Sequence, residues 1–212
     1  RAKLWREQGG GFAADQCEAV ALYELKDYRG AAVRFEELAS AMMEAPKGQR
    51  AQTLAQAGQA WLAADEPARA RADFDAALAL NGEDADLLID RAEALAGEQR
   101  YREAIGDLDR AIALAPRRAD AYIYRGSAYR SLGTLDRALA DVERGLALEP
   151  DAVSGLLERG NIRRLTGNTD GARQDWRRVA QLAPNSAAAA AAKVNLDGVR
   201  SGGEGAAKDE KP

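Results

Sequence analysis

Arg91, Arg125 and Arg159 stand 34 residues apart, and Asp73, Asp107, Asp141 and Asp175 repeat at the same interval. Guanidinium and carboxylate groups held in register form charge-assisted hydrogen bonds, the strong class of polar contact. They do not supply a proton shuttle near neutral pH. The chain has no histidine and a single cysteine, Cys17. Imidazole chemistry, a thiol activated by imidazole and an internal disulfide are therefore all excluded. Cys17 is expected as a small buried thiol on the first helix. The glycine-rich stretches near residues 9–12 and 201–205 lack the strand–loop–helix setting that a phosphate cradle requires. These residue types point to charge recognition and away from catalysis, with no metal and no cofactor.

The elements that position these charges follow from the prolines. Pro116, Pro150 and Pro184 are also 34 residues apart, a period that marks a helical repeat array. With Pro116 placed at position 32, units run over 51–84, 85–118, 119–152 and 153–186. Position 8 then reads Gly58, Ala92, Gly126, Gly160, and position 20 reads Ala70, Ala104, Ala138, Ala172. Position 24 reads Phe74, Leu108, Val142, Trp176. Small residues let two helix backbones approach, and the bulky one fills the remaining space. Each unit is expected to be a helix, a short turn and an antiparallel second helix that proline ends. A weaker upstream unit aligns Tyr28, Ala31, Phe35 and Leu38 with positions 17, 20, 24 and 27, so it starts near Phe12 and spans 12–50. About five extra residues there are read as a longer second helix plus a loop ending beyond Pro46. After Pro184, an alanine-rich stretch over 187–200 is expected to be a terminal capping helix, started by Asn185 or Ser186. Residues 1–11, with Leu4 and Trp5 as the stub of an earlier helix, and 201–212 are expected to be flexible ends.

This small–aromatic pattern resembles the tetratricopeptide repeat family, most clearly in the stretch 121–150. The proline spacing argues against the pentatricopeptide repeats, whose period is about 35. The resemblance implies an all-α, right-handed superhelical solenoid of about five helix-turn-helix units plus a capping helix. It also implies a concave face lined by the first helix of each unit, mainly through positions 2, 5, 9, 12 and 13, with position 6 also in reach. Carried onto this sequence, the candidate groove residues include Gln59, Leu62, Asp86, Ile89, Glu93, Ile123, Tyr124, Ser127, Arg130, Leu157, Asn161 and Arg164. Leu62, Ile89, Ile123 and Leu157 would form an apolar line, or else pack between helices. The lysine and asparagine clamp by which some family members grip a chaperone C-terminus is absent, because position 5 reads Ala55, Ile89, Ile123 and Leu157.

Composition narrows the partner. The net charge is −4, and residues 12–84 carry 7 basic against 13 acidic side chains, whereas 119–184 carry 10 against 9. Nucleic-acid binding needs a continuous basic track, which this chain lacks. No apolar run is long enough to span a membrane. The expected function is a non-enzymatic interaction scaffold for a protein or peptide, in a bacterial cell envelope assembly, the periplasm or the cytoplasm. The alternative is end-to-end self-assembly into a homo-oligomer, motivated by the uneven charge. Arg163 and Arg164, with Arg173, Arg177 and Arg178, outline a basic patch on the last repeat, self-compensated or open to an anionic partner.

The charged ladder itself admits two registers. Pairing within a repeat leaves Asp73 opposite Ala57. Pairing each aspartate with the following repeat gives Asp73–Arg91, Asp107–Arg125, Asp141–Arg159 and Asp175–Lys193, and this cross-repeat register is the expectation.

Overall fold

The computed structural model describes residues 11–206, with side chains to 199. The expected stub at Leu4 and Trp5 lies outside the described residues. All regular structure among them is helical, in eleven helices. Two compact units divide at Pro116. The first holds α1 (Gly11–Glu24), α2 (Tyr28–Ala41), α3 (Lys47–Ala63), α4 (Pro67–Leu80), α5 (Ala85–Gly97) and α6 (Tyr101–Leu114). The second holds α7 (Ala119–Ser131), α8 (Leu135–Leu148), α9 (Val153–Leu165), α10 (Thr169–Leu182) and α11 (Ala187–Ala206). No described helix is long and apolar enough to cross a membrane.

Within each unit every helix packs on the next, and first helices of consecutive repeats also touch, as in α3–α5, α7–α9 and α9–α11. The close approach is visible at position 8. A Cβ added to Gly126 would lie 2.9 Å from the Ala138 carbonyl oxygen and 2.5 Å from Val142 Cγ2. Position 24 fills the space beside it, so Phe74, Leu108, Val142 and Trp176 are all at most 1% exposed.

The turns between paired helices share one device. Lys26, Asp65, Gln99, Gly133 and Gly167 occupy position 15 of the five repeats, and all have φ between 60° and 84°. The next residue is the N-cap of the second helix, and two of these, Asp27 and Asn168, cap it with their side chains by accepting from Gly30 N and Gly171 N at 3.0 Å. At the far ends, α6, α8 and α10 stop at Leu114, Leu148 and Leu182, two residues before Pro116, Pro150 and Pro184. Ser186 then caps α11, its Oγ accepting from Ala189 N at 3.1 Å.

Three expectations need correction here. The five extra residues do not lengthen the second helix, since α2 has the same 14 residues as α4. They form a loop after α2 and an added turn on α3, which has 17 residues and begins directly after Pro46. With φ at −52°, Pro46 opens a helix and does not close one. Cys17 is exposed, not buried, because position 6 of the first repeat faces away from the α1–α2 contact. The terminal helix also runs past the expected end at 200, to Ala206; once a packed stretch has nucleated a helix, added residues propagate it.

Candidate partner-binding face

The charged positions build the site's framework, in the opposite register to the expected one. Arg91 donates to Asp107 through Nε at 2.7 Å and Nη2 at 2.6 Å. Arg125 does the same to Asp141, at 2.7 Å for both contacts. Arg159 reaches Asp175 at 3.0 and 2.7 Å. Each clamp therefore closes inside one repeat. The physical reason is the hairpin: positions 7 and 23 lie equally far from the turn residue at position 15, so antiparallel packing brings them level. Lys193 does not take up Asp175, whose Oδ2 accepts instead from Arg163 Nη1 at 2.8 Å. Arg163, standing where the pattern expects an aromatic, thus turns inward. Arg178 pairs with Asp151 at 2.9 Å and Arg173 with Asp170 at 3.2 Å, which compensates much of the basic patch.

Burial sorts the candidate groove residues. In the first unit Asp86 and Glu93 are exposed and Leu62 is half-buried. Gln59 is exposed and donates from Nε2 to Asp90 Oδ2 at 3.1 Å, linking neighbouring first helices. Ile89 is 4% exposed and belongs to the core. In the second unit Ile123 is also 4% exposed, packed so tightly that a Cβ on Gly145 or Gly155 would come within 2.7 or 2.9 Å of it. Tyr124 is exposed, Ser127 half-buried and Arg164 exposed. Arg130 donates to Glu158 of the next repeat. Leu157 leans on the Val142–Leu156–Trp176 core. Asn161 Oδ1 accepts from Asn195 Nδ2 of α11 at 2.9 Å. The apolar line therefore sinks into the core at Ile89 and Ile123, and what faces outward is polar.

The first unit adds a feature that position-by-position reading missed. A cavity of about 570 Å³ opens between α1 and α3. Phe12 and Gln16 line it from α1, Met42 from the loop, and Gln49, Gln52 and Ala55 from α3, and no charged side chain is among its lining residues. The longer link of residues 42–46 and the extra turn of α3 hold this gap open. Gln52 and Ala55 occupy positions 2 and 5, and Gln16 is position 5 of the upstream repeat. Carrying the register one unit further would have found Gln16. Gln56 and Gln59 also line a second cavity of about 140 Å³ with Val20, Tyr23 and Phe35.

The same architecture recurs in solved structures. A thermophilic repeat protein of Thermus thermophilus is 22% identical, with a TM-score of 0.71 over 88% of this chain and 99% of that one. MamA from Desulfovibrio magneticus RS-1 (residue 41 to the end) is 20% identical, with a TM-score of 0.65 over 88% and 97%. YrrB, described as having an unusual peptide-binding site, is 19% identical, with a TM-score of 0.58 over 90% and 96%. Among curated proteins none matches this sequence. The family model described as tetratricopeptide repeat matches residues 55–116, 89–147 and 125–189, and with the paired helices, the position-15 turns and the 34-residue period these place the chain in the tetratricopeptide repeat family.

Proposed function

We propose that this chain is a non-enzymatic protein-interaction module that holds an extended segment of a partner protein against the first helices of its repeats. The observation that carries the reading is the uncharged cavity between α1 and α3. Glutamine amides both donate and accept, so Gln16, Gln49 and Gln52 suit the alternating N–H and C=O groups of an extended backbone. Phe12, Met42 and Ala55 suit one apolar anchor side chain of that segment. Pockets of this size are ordinary for such anchors. On the second unit, Tyr124, Ser127, Asn161 and Arg164 offer a polar face with a cation, which favours a segment bearing an acid there. Peptide recognition by YrrB, and by the first repeat domain of Spaghetti (RPAP3), solved with an HSP90 peptide, supports the class of ligand.

The test is a peptide-display selection on the intact chain, followed by calorimetry on the peptides recovered. Ala55→Arg, which fills the cavity with a charged stem, is expected to weaken binding by roughly tenfold or more, about 1.4 kcal/mol. Tyr124→Ala with Arg164→Glu should weaken peptides that carry an acidic stretch. Selected peptides indifferent to both variants would remove this reading.

A further inference from the structure

The ladder has one gap, and the gap keeps its carboxylates. In the complete repeats the position-7 arginine lies on the position-23 aspartate of its own repeat, and in two of them it also answers to the position-25 acid of the repeat before. Arg91 thus binds Asp107 and also Asp75, the latter through Nη1 at 2.8 Å. Arg159 binds Asp175 and feels the charge of Glu143. The repeat 51–84 retains both acids, Asp73 at position 23 and Glu36 at position 25 of the preceding repeat, but position 7 is Ala57.

The consequence shows at Asp73. It is 8% exposed, and its Oδ2 is buried without a hydrogen-bond partner. Glu36 is half-buried and accepts from Trp61 Nε1 at 2.7 Å. Burial first, and the Glu36 charge second, push the Asp73 carboxyl up to about 7. The neighbouring cations are engaged elsewhere. Arg69 lies over the Trp61 ring, 4.5 Å from its centroid. Arg71 is held by Asp75 at 2.9 Å and Glu98 at 2.6 Å. A buried carboxylate without a partner is unfavourable, and the other repeats show which group satisfies these two positions.

We propose that Asp73 and Glu36 form a receiving slot for the guanidinium of an arginine supplied by a partner protein, seated where the other repeats place their own. The planar fork of arginine matches two carboxylates, which a lysine ammonium does not. Where a repeat carries its own arginine that side chain stays 22% exposed, as at Arg91 and Arg159, whereas at the gap Ala57 and the Asp73 Oδ2 are enclosed, so a partner's guanidinium enters only by displacing the side chains that cover Asp73. The slot uses α2, α3 and α4 but none of the residues that line the α1–α3 cavity, so it stands or falls independently of the groove reading.

The experiment is NMR on the full chain, following the Asp73 carboxyl carbon and the Trp61 indole N–H. N-acetylarginine methylamide is added at constant ionic strength, beside N-acetyllysine methylamide and methylguanidinium. Saturable shifts with the arginine probe are expected, with the lysine probe binding roughly tenfold more weakly. Ala57→Arg should abolish them by filling the slot from within, and the near-isosteric Asp73→Asn should weaken them at least as much. The proposal is overturned if no saturable shift occurs. It also fails if Ala57→Arg and Asp73→Asn both bind like wild type, or if methylguanidinium binds and the arginine probe does not.

Discussion

At the scale of single residues, backbone conformation at position 15 sets where each hairpin folds. Gly133 and Gly167 sit at φ of 75° and 84°, the left-handed region. Side-chain-bearing residues there cost roughly 1–2 kcal/mol. Gly167→Ala is therefore expected to lower stability by about 1 kcal/mol, read as a smaller urea midpoint with unchanged slope. Lys26, Asp65 and Gln99 carry that strain already. Residue identity also explains what the sequence concealed at the candidate site. Ile89 and Ile123 stand at groove positions, yet the small neighbours Gly145 and Gly155 let Ile123 sink into the core. Position alone gives a face of the helix, and how deep a side chain sinks depends on what the facing helix leaves open. Cys17 is the opposite case, a residue type usually buried that stands exposed at the start of the array.

At the scale of elements, the helix pairs and their proline stops were legible from spacing, because small and bulky residues recur in a fixed register. The pairing of charges was not, although its determinant was present. Counting matches favoured the cross-repeat register, whereas equal distance from the turn decides the contact. A double-mutant cycle distinguishes the two. Arg125→Leu is expected to destabilise by about 1–3 kcal/mol, because it leaves Asp141 largely buried and unpaired. Adding Asp141→Leu should restore most of that loss. A cycle between Asp141 and Arg159 should show coupling near zero, and a large value there would contradict the observed pairing. The α2–α3 link was misread for a related reason. A proline that starts a helix and one that ends it look alike in sequence, and only the extra turn of α3 shows which Pro46 is.

At the scale of the whole molecule, the Asp73 gap makes stability depend on pH. The folded chain holds the Asp73 proton up to about pH 7, against 3.8 when the carboxyl is unperturbed. Between these values the folded state binds more protons than the unfolded one, so stability falls as pH rises and the contribution is lost above the folded pKa. Wild type should lose on the order of 2–3 kcal/mol more than Asp73→Asn between pH 5 and pH 8. Urea titrations at both pH values measure the difference, and parallel behaviour of the two chains would show that Asp73 ionises normally. The effect belongs to the unit that ends at Pro116, so amide protection factors, taken relative to the intrinsic exchange rate at each pH, should fall with rising pH there and not in residues 117–199.

The closure of each arginine clamp inside its own hairpin also bears on how such a gene can change. A duplication or deletion of 34 codons carries both members of a clamp together. The contacts that cross to the next repeat, such as Asp75–Arg91, join positions that recur at the same interval, so an event of one whole period preserves them as well. The array can therefore lengthen or shorten by recombination without an electrostatic penalty at these sites. An alanine at position 7, as at Ala57, affects Asp73 of its own repeat and Glu36 of the one before, and leaves the other clamps whole.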